Sequence, residues 1–256
     1  MAFFAKRLIW KQNWKTGLSG NHYEQQFGSK GYEMQSFPLT FRDRHLFVTI
    51  GDHDWLLDTG APMSFGNIPS LVVENKSFRL PEIYMGLTAG KLSEFIGHPT
   101  VGIMGADVLN EFDILLDAPK GQVSFAESPL DLDGVAIKTE EFMGIPIIQA
   151  NIDGTARRMF FDSGAQISYL QDESLSMFPA GGMITDFYPG IGQFQTETYL
   201  VEITLGETRY TFRCGSLPGL LGMTLMMADT QGIVGNEILR NRTVGFFPRR
   251  QQLVLT

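Results

Sequence analysis

Two short stretches of this 256-residue chain carry the residue types that could do chemistry, in the same order and setting. An apolar run leads through Trp55-Leu56-Leu57 into Asp58-Thr59-Gly60-Ala61, and a second leads through Met159-Phe160-Phe161 into Asp162-Ser163-Gly164-Ala165. An aspartate at a sharp turn after a buried strand is held rigidly, and a glycine two residues on lets backbone N–H groups approach its carboxylate. Two such carboxylates brought within about 3 Å cannot both ionise. A pair that shares one proton offers a general base and a general acid at a single point, and needs neither a metal nor a covalent nucleophile.

The elements around these turns are duplicated too. Val101-Gly102-Ile103-Met104-Gly105-Ala106-Asp107-Val108-Leu109 is echoed by Gly232-Ile233-Val234-Gly235-Asn236-Glu237-Ile238-Leu239. Each copy is followed by a strand, a turn and a strand, Phe112 to Asp117 with Gln122 to Phe125, and Thr243 to Phe247 with Gln252 to Leu255. Ahead of the aspartates, Leu46 to Ile50 and Ile147 to Ile152 alternate with period two and run into the turn signals Gly51-Asp52-His53 and Asp153-Gly154-Thr155, which predicts a β-hairpin in each unit. The division that follows is a basic segment at 1–30, a lobe at 31–130 and a lobe at 131–256.

Composition agrees with a folded, mostly β chain. Hydrophobic residues make up 43% and charged residues 19%, with 28 Gly and 20 Phe; the usual charged share is about 25%. Acidic residues outnumber basic ones 28 to 20 with no basic cluster in the body of the chain, so a nucleic-acid partner is not expected. The lone Cys214 allows no internal disulfide, and no run of about 18 apolar residues could span a bilayer. The first residues lack a small-residue cleavage site, so a cytoplasmic protein is expected. His22, His45, His53 and His98 show no metal-binding spacing, and Gly190-Ile191-Gly192 is too short for a dinucleotide fingerprint. No phosphate loop or Gly-x-Ser-x-Gly elbow is present either, so no cofactor and no metal are expected.

The paired Asp-Thr/Ser-Gly-Ala turns, each followed by an apolar-apolar-Gly segment, resemble the active-site turns of the pepsin-like and retropepsin-like aspartic proteases. The resemblance covers about residues 40–256. It implies an all-β, bilobal acid-protease fold whose β-barrel-like lobes are related by a pseudo-twofold axis, with Asp58 and Asp162 catalytic. It implies that Thr59 and Ser163 bond across to the opposite lobe while Gly60 and Gly164 support the turns. Ile103-Met104-Gly105 and Ile233-Val234-Gly235 are then the strands beside the two Asp loops. Ala61-Pro62 is closer to the retropepsin turn, so the chain resembles a fused retropepsin dimer, complete as a monomer, hydrolysing a peptide or protein substrate as an endopeptidase. The alternative is a non-catalytic peptide-binding or scaffold protein that retains the fold.

Two departures from the family modify those expectations. Asp58 to Ile103 spans 45 residues and Asp162 to Ile233 spans 71, so the covering hairpin is expected in the second lobe, near Tyr188 to Gly192 and Thr196 to Thr204. The first unit is expected to be too short for such a hairpin, and no residue is matched to the family's flap tyrosine. The segment 1–30 carries Lys6, Arg7, Lys11, Lys15 and Lys30 against Glu24 alone. It is expected to pack on the acidic body, with occupation of the cleft as the alternative.

Overall fold

A computed structural model describes residues 34–188 and 191–256 of the chain. The basic segment at 1–30 lies outside the described residues. Each lobe contains its predicted hairpin. His45–Ile50 pairs with His53–Leu57 around Gly51 at φ 60°, and Ile145–Ile152 pairs with Thr155–Phe161 around Asp153 and Gly154 at φ 49° and 74°. Positive φ at both central residues of the second turn, and at Gly51 in the first, matches each turn to the twist of its strands.

The aspartate-bearing strands then acquire a parallel neighbour. Trp55, Leu56 and Leu57 run beside Gly102, Ile103 and Met104, and Met159, Phe160 and Phe161 run beside Gly232, Ile233 and Val234. Strands buried on both sides read as continuous apolar runs, and these do. Gly102 and Gly232 permit a close approach on the other side, to the antiparallel strands at Phe65–Gly66 and Ser168–Leu170: an added Cβ would stand 2.0 Å from the Phe65 carbonyl oxygen or 2.2 Å from that of Tyr169.

The lobes are joined by one six-stranded antiparallel sheet in the order Gln35–Arg42, Gln122–Ala126, Asp113–Asp117, Thr243–Phe247, Gln252–Leu255, Val135–Phe142. Its middle pair, with Ile114 opposite Phe246 and Asp117 opposite Thr243, joins two strands that are each other's counterpart in the duplication. A local twofold axis therefore passes between them. The fold is all-β and bilobal, as the repeat implied. One apolar core continues across both lobes under this sheet, with Phe112 edge-on to Phe125 at 5.7 Å and Phe161 beside Phe246 at 6.2 Å.

Charge fastens the same junction. Asp113, 1% exposed, accepts from Arg249 at 2.8 Å and Arg250 at 2.6 Å, both at the far end of the second lobe.

Three α-helices among the described residues were not anticipated, the shortest being Ala106–Leu109. Ala89–Ile96 is capped by the Thr88 hydroxyl, which accepts from the Lys91 N–H, and ends at Gly97 with φ 68°. Gly219–Met227 buries Leu221 and Leu225 beside Phe160 and Ile233. No helix among the described residues is long and apolar enough to cross a membrane.

The second lobe carries a long hairpin, Ala180–Tyr188 with Gly192–Leu205, continued by Thr208–Gly215. The first lobe differs from expectation. Its shorter connection still forms a small hairpin, Ile83–Tyr84 with Leu87–Thr88, because Met85 at φ 48° and Gly86 at φ 77° turn the chain in two residues.

Candidate active site

The backbone of each aspartate is fixed by the parallel strand beside it. Asp58 N–H donates to the Met104 carbonyl and Asp162 N–H to the Val234 carbonyl, both at 3.0 Å. The chain then turns, and its next N–H groups point back at the carboxylate. Asp58 Oδ1 accepts from Gly60 and Ala61 at 2.9 Å each, and Asp162 Oδ1 accepts from Gly164 at 2.9 Å and Ala165 at 3.1 Å. Four donors thus set the orientation of two side chains before any ligand arrives.

The residues after the aspartates lock the lobes together. Thr59 N–H donates to Ser163 Oγ and Ser163 N–H donates to Thr59 Oγ1, each at 2.9 Å. The two hydroxyls donate onward across the interface, Thr59 to the Phe161 carbonyl and Ser163 to the Leu57 carbonyl, each at 2.8 Å. Both residues are buried, so every donor is satisfied without water.

The symmetry extends one layer further out. Ser64 Oγ accepts from Gly105 N–H at 2.8 Å and Ser168 Oγ accepts from Gly235 N–H at 3.1 Å. Ala106 N–H reaches the Ala61 carbonyl at 2.8 Å, and Asn236 N–H reaches that of Ala165 at 2.9 Å. It ends at the acidic residues that follow: Asp107 holds the Ser64 hydroxyl at 2.6 Å, whereas its counterpart Glu237 takes the Arg213 N–H at 2.8 Å.

The structure therefore brings together all six residues singled out from sequence, Asp58, Thr59, Gly60, Asp162, Ser163 and Gly164. Asp58 and Asp162 lie together at the cleft floor, each against the glycine of the other lobe's turn. Burial raises the pKa of both above the ordinary carboxylate range; repulsion from Asp162 adds to it at Asp58, which is raised well above it. At intermediate pH the pair holds one proton, which belongs to both residues jointly.

Of the cleft residues, Tyr188 lies in the covering hairpin expected from sequence, whereas Tyr84, Phe187, Asp186 and Tyr169 were missed. Tyr84, from the small first-lobe hairpin, and Tyr188, from the tip of the long second-lobe hairpin, both line the cleft over the aspartates. Burial pushes Tyr188 up to about 12 and also raises Tyr84. Phe187 reaches the opposite lobe, where it meets Phe95 at 5.4 Å and His45 at 6.0 Å. Asp186 and Tyr169 also line the cleft, and the Tyr169 hydroxyl donates to Asp186 Oδ2. A lone Tyr or Asp inside a strand carries no local pattern, so only the fold reveals these positions. Among the described residues no group of three or more His, Cys, Asp or Glu side chains is arranged to hold a metal ion.

No family model matches this sequence, and no curated protein matches it. Among solved structures the chain is similar to basic 7S globulin from soybean, with a TM-score of 0.49 and 9% identity over 88% of this chain and 95% of that one.

Proposed function

We propose that this chain is an aspartic endopeptidase that hydrolyses peptide bonds with a water molecule activated by Asp58 and Asp162. The observation that carries the reading is the pairing of two carboxylates across a local twofold axis, each pinned by two backbone N–H groups and joined by reciprocal Thr59–Ser163 bonds. Such preorganisation matters where charge develops, because no rearrangement is needed at the moment of reaction.

In this reading the singly protonated pair holds a water between its oxygens. The ionised carboxylate removes a proton as the water oxygen attacks the carbonyl carbon, and the protonated one donates to the carbonyl oxygen. The tetrahedral intermediate collapses when the amide nitrogen takes a proton from the pair and the C–N bond breaks, while one hydroxyl of the intermediate gives its proton back to the pair as the C=O bond re-forms. The two protons of the attacking water end on the two products and the pair returns to its starting state. The substrate lies extended beneath the strands bearing Tyr84 and Tyr188, which offer backbone groups for strand-like pairing. Both aspartates come from one chain, so the monomer is sufficient.

Incubation with a diverse peptide mixture from acid to neutral pH, with and without a statine-type transition-state mimic, tests the assignment. Inhibitor-sensitive cleavage at internal bonds is expected. Peptide binding without cleavage at any pH would instead support a non-catalytic protein on this fold.

A further inference from the structure

A third carboxylate lines the cleft that holds Asp58 and Asp162. Asp186 stands in the second-lobe strand Ala180–Tyr188, two residues before the hairpin tip, and is 7% exposed. Its Oδ1 accepts from the Phe187 N–H at 2.8 Å and its Oδ2 from the Tyr169 hydroxyl. An ionised carboxylate has about four acceptor sites, so these donors leave acceptor capacity unused. The cleft wall also carries the apolar side chains Phe187, Phe194 and Leu217.

Among the described residues, no cationic side chain pairs with this carboxylate. The ion pairs found among the described residues involve other acids, on the surface or at the Asp113 junction. His45 is near enough to feel Asp186, but burial outweighs that attraction and lowers the imidazole pKa, which keeps it neutral at neutral pH. A cationic group of a ligand would find here a carboxylate held by two neutral donors and by no cation of the described residues, a setting in which charge-assisted hydrogen bonds are strong. The negative field of Asp186 also reaches the reacting pair, since it contributes to the raised pKa of Asp162.

We propose that Asp186 determines specificity by receiving an organic cation of the substrate, a lysine or arginine side chain or a peptide amino terminus, next to the bond that the dyad attacks. The proposal rests on the peptidase reading for the word substrate, but the recognition itself is a binding property. A carboxylate that merely oriented Tyr169 would affect cationic and neutral peptides alike, which separates the two roles.

The test uses matched peptides that differ only in lysine or norleucine beside the scissile bond, each with a free or an acetylated amino terminus. kcat/KM is measured for these, and Kd by calorimetry for the corresponding uncleavable hydroxyethylene peptides, on the full-length protein and on Asp186→Asn. A charge-assisted bond in a desolvated site favours the cationic peptide by on the order of 10- to 100-fold, and this ratio is expected to fall toward one in Asp186→Asn. A preference that follows the side chain places lysine or arginine on Asp186, and one that follows the free terminus places the terminal ammonium there. Equal handling of lysine and norleucine peptides by the unmodified protein, in both rate and affinity, would overturn the proposal, as would a preference that survives Asp186→Asn. A lysine preference in Kd that Asp186→Asn removes, with no turnover of any peptide, would refute the peptidase reading and keep Asp186 as the cation site.

Discussion

Gly60 of the first lobe lies against the carboxylate of Asp162 in the second, so closely that a Cβ on Gly60 would stand 2.2 Å from Asp162 Cγ. Gly164 stands in the same relation to Asp58, at 2.3 Å. Each glycine therefore does two things. Its N–H holds the aspartate of its own lobe, and its missing side chain leaves room for the aspartate of the other.

Gly60→Ala and Gly164→Ala should each push the opposing carboxylate out of place. A displacement of this kind costs on the order of 100-fold in rate, so kcat/KM is expected to fall at least that far while circular dichroism shows the β fold intact. Near-normal turnover in either variant would mean that the dyad tolerates separation.

The dyad should make the protein less stable at neutral pH than it need be. A carboxyl whose folded pKa is raised contributes stability that is fully present below its unfolded value near 3.8, and this is lost as pH rises through the folded value. Asp58→Asn removes the titrating group and keeps the shape. Its Tm is expected to exceed that of the unmodified protein at pH 7, with the difference shrinking below pH 4. A lower Tm at pH 7 would contradict the raised pKa. The same titration predicts a bell-shaped rate profile whose limbs belong to the pair.

Asp113 offers a test of what holds the lobes together. Asp113→Ala leaves Arg249 and Arg250 without their shared carboxylate, which itself is 1% exposed. Breaking such a pair costs about 3 kcal/mol, the low end of the usual range because the arginines, about a third exposed, can turn to water. Chemical denaturation should report a loss of that size; a loss below about 1 kcal/mol would assign the junction to apolar packing alone.

Most of this architecture was legible because it is written twice. Apolar-Asp-Thr/Ser-Gly-Ala and apolar-apolar-Gly each recur, and the paired hairpins carry strong local turn signals at Gly51 and at Asp153-Gly154. What was illegible lacks either support. Tyr84 sits in a hairpin whose strands are two residues long, too short for any periodicity. Asp186 alternates normally along an amphipathic strand, and only the path of that strand over the cleft turns it toward the dyad. The reason for Gly60 was half visible: its own turn was readable, but the carboxylate it accommodates lies 102 positions away.

Both hairpins over the cleft should respond to a ligand. With a statine-type mimic bound, hydrogen exchange is expected to slow at 83–88 and along 180–205, because Tyr84 and Tyr188 both line the site. Protection confined to the second-lobe hairpin would assign the covering role to it alone.

The most direct test of the central claim compares Asp58→Asn and Asp162→Asn with the unmodified protein on one cleavable peptide. If the pair shares one proton and acts as base and acid together, either change leaves a group that cannot take up the proton of the attacking water. Both variants are then expected to lose on the order of 10²- to 10⁴-fold or more in kcat, by similar amounts, while still binding an uncleavable peptide. Undiminished cleavage in either variant would contradict the account.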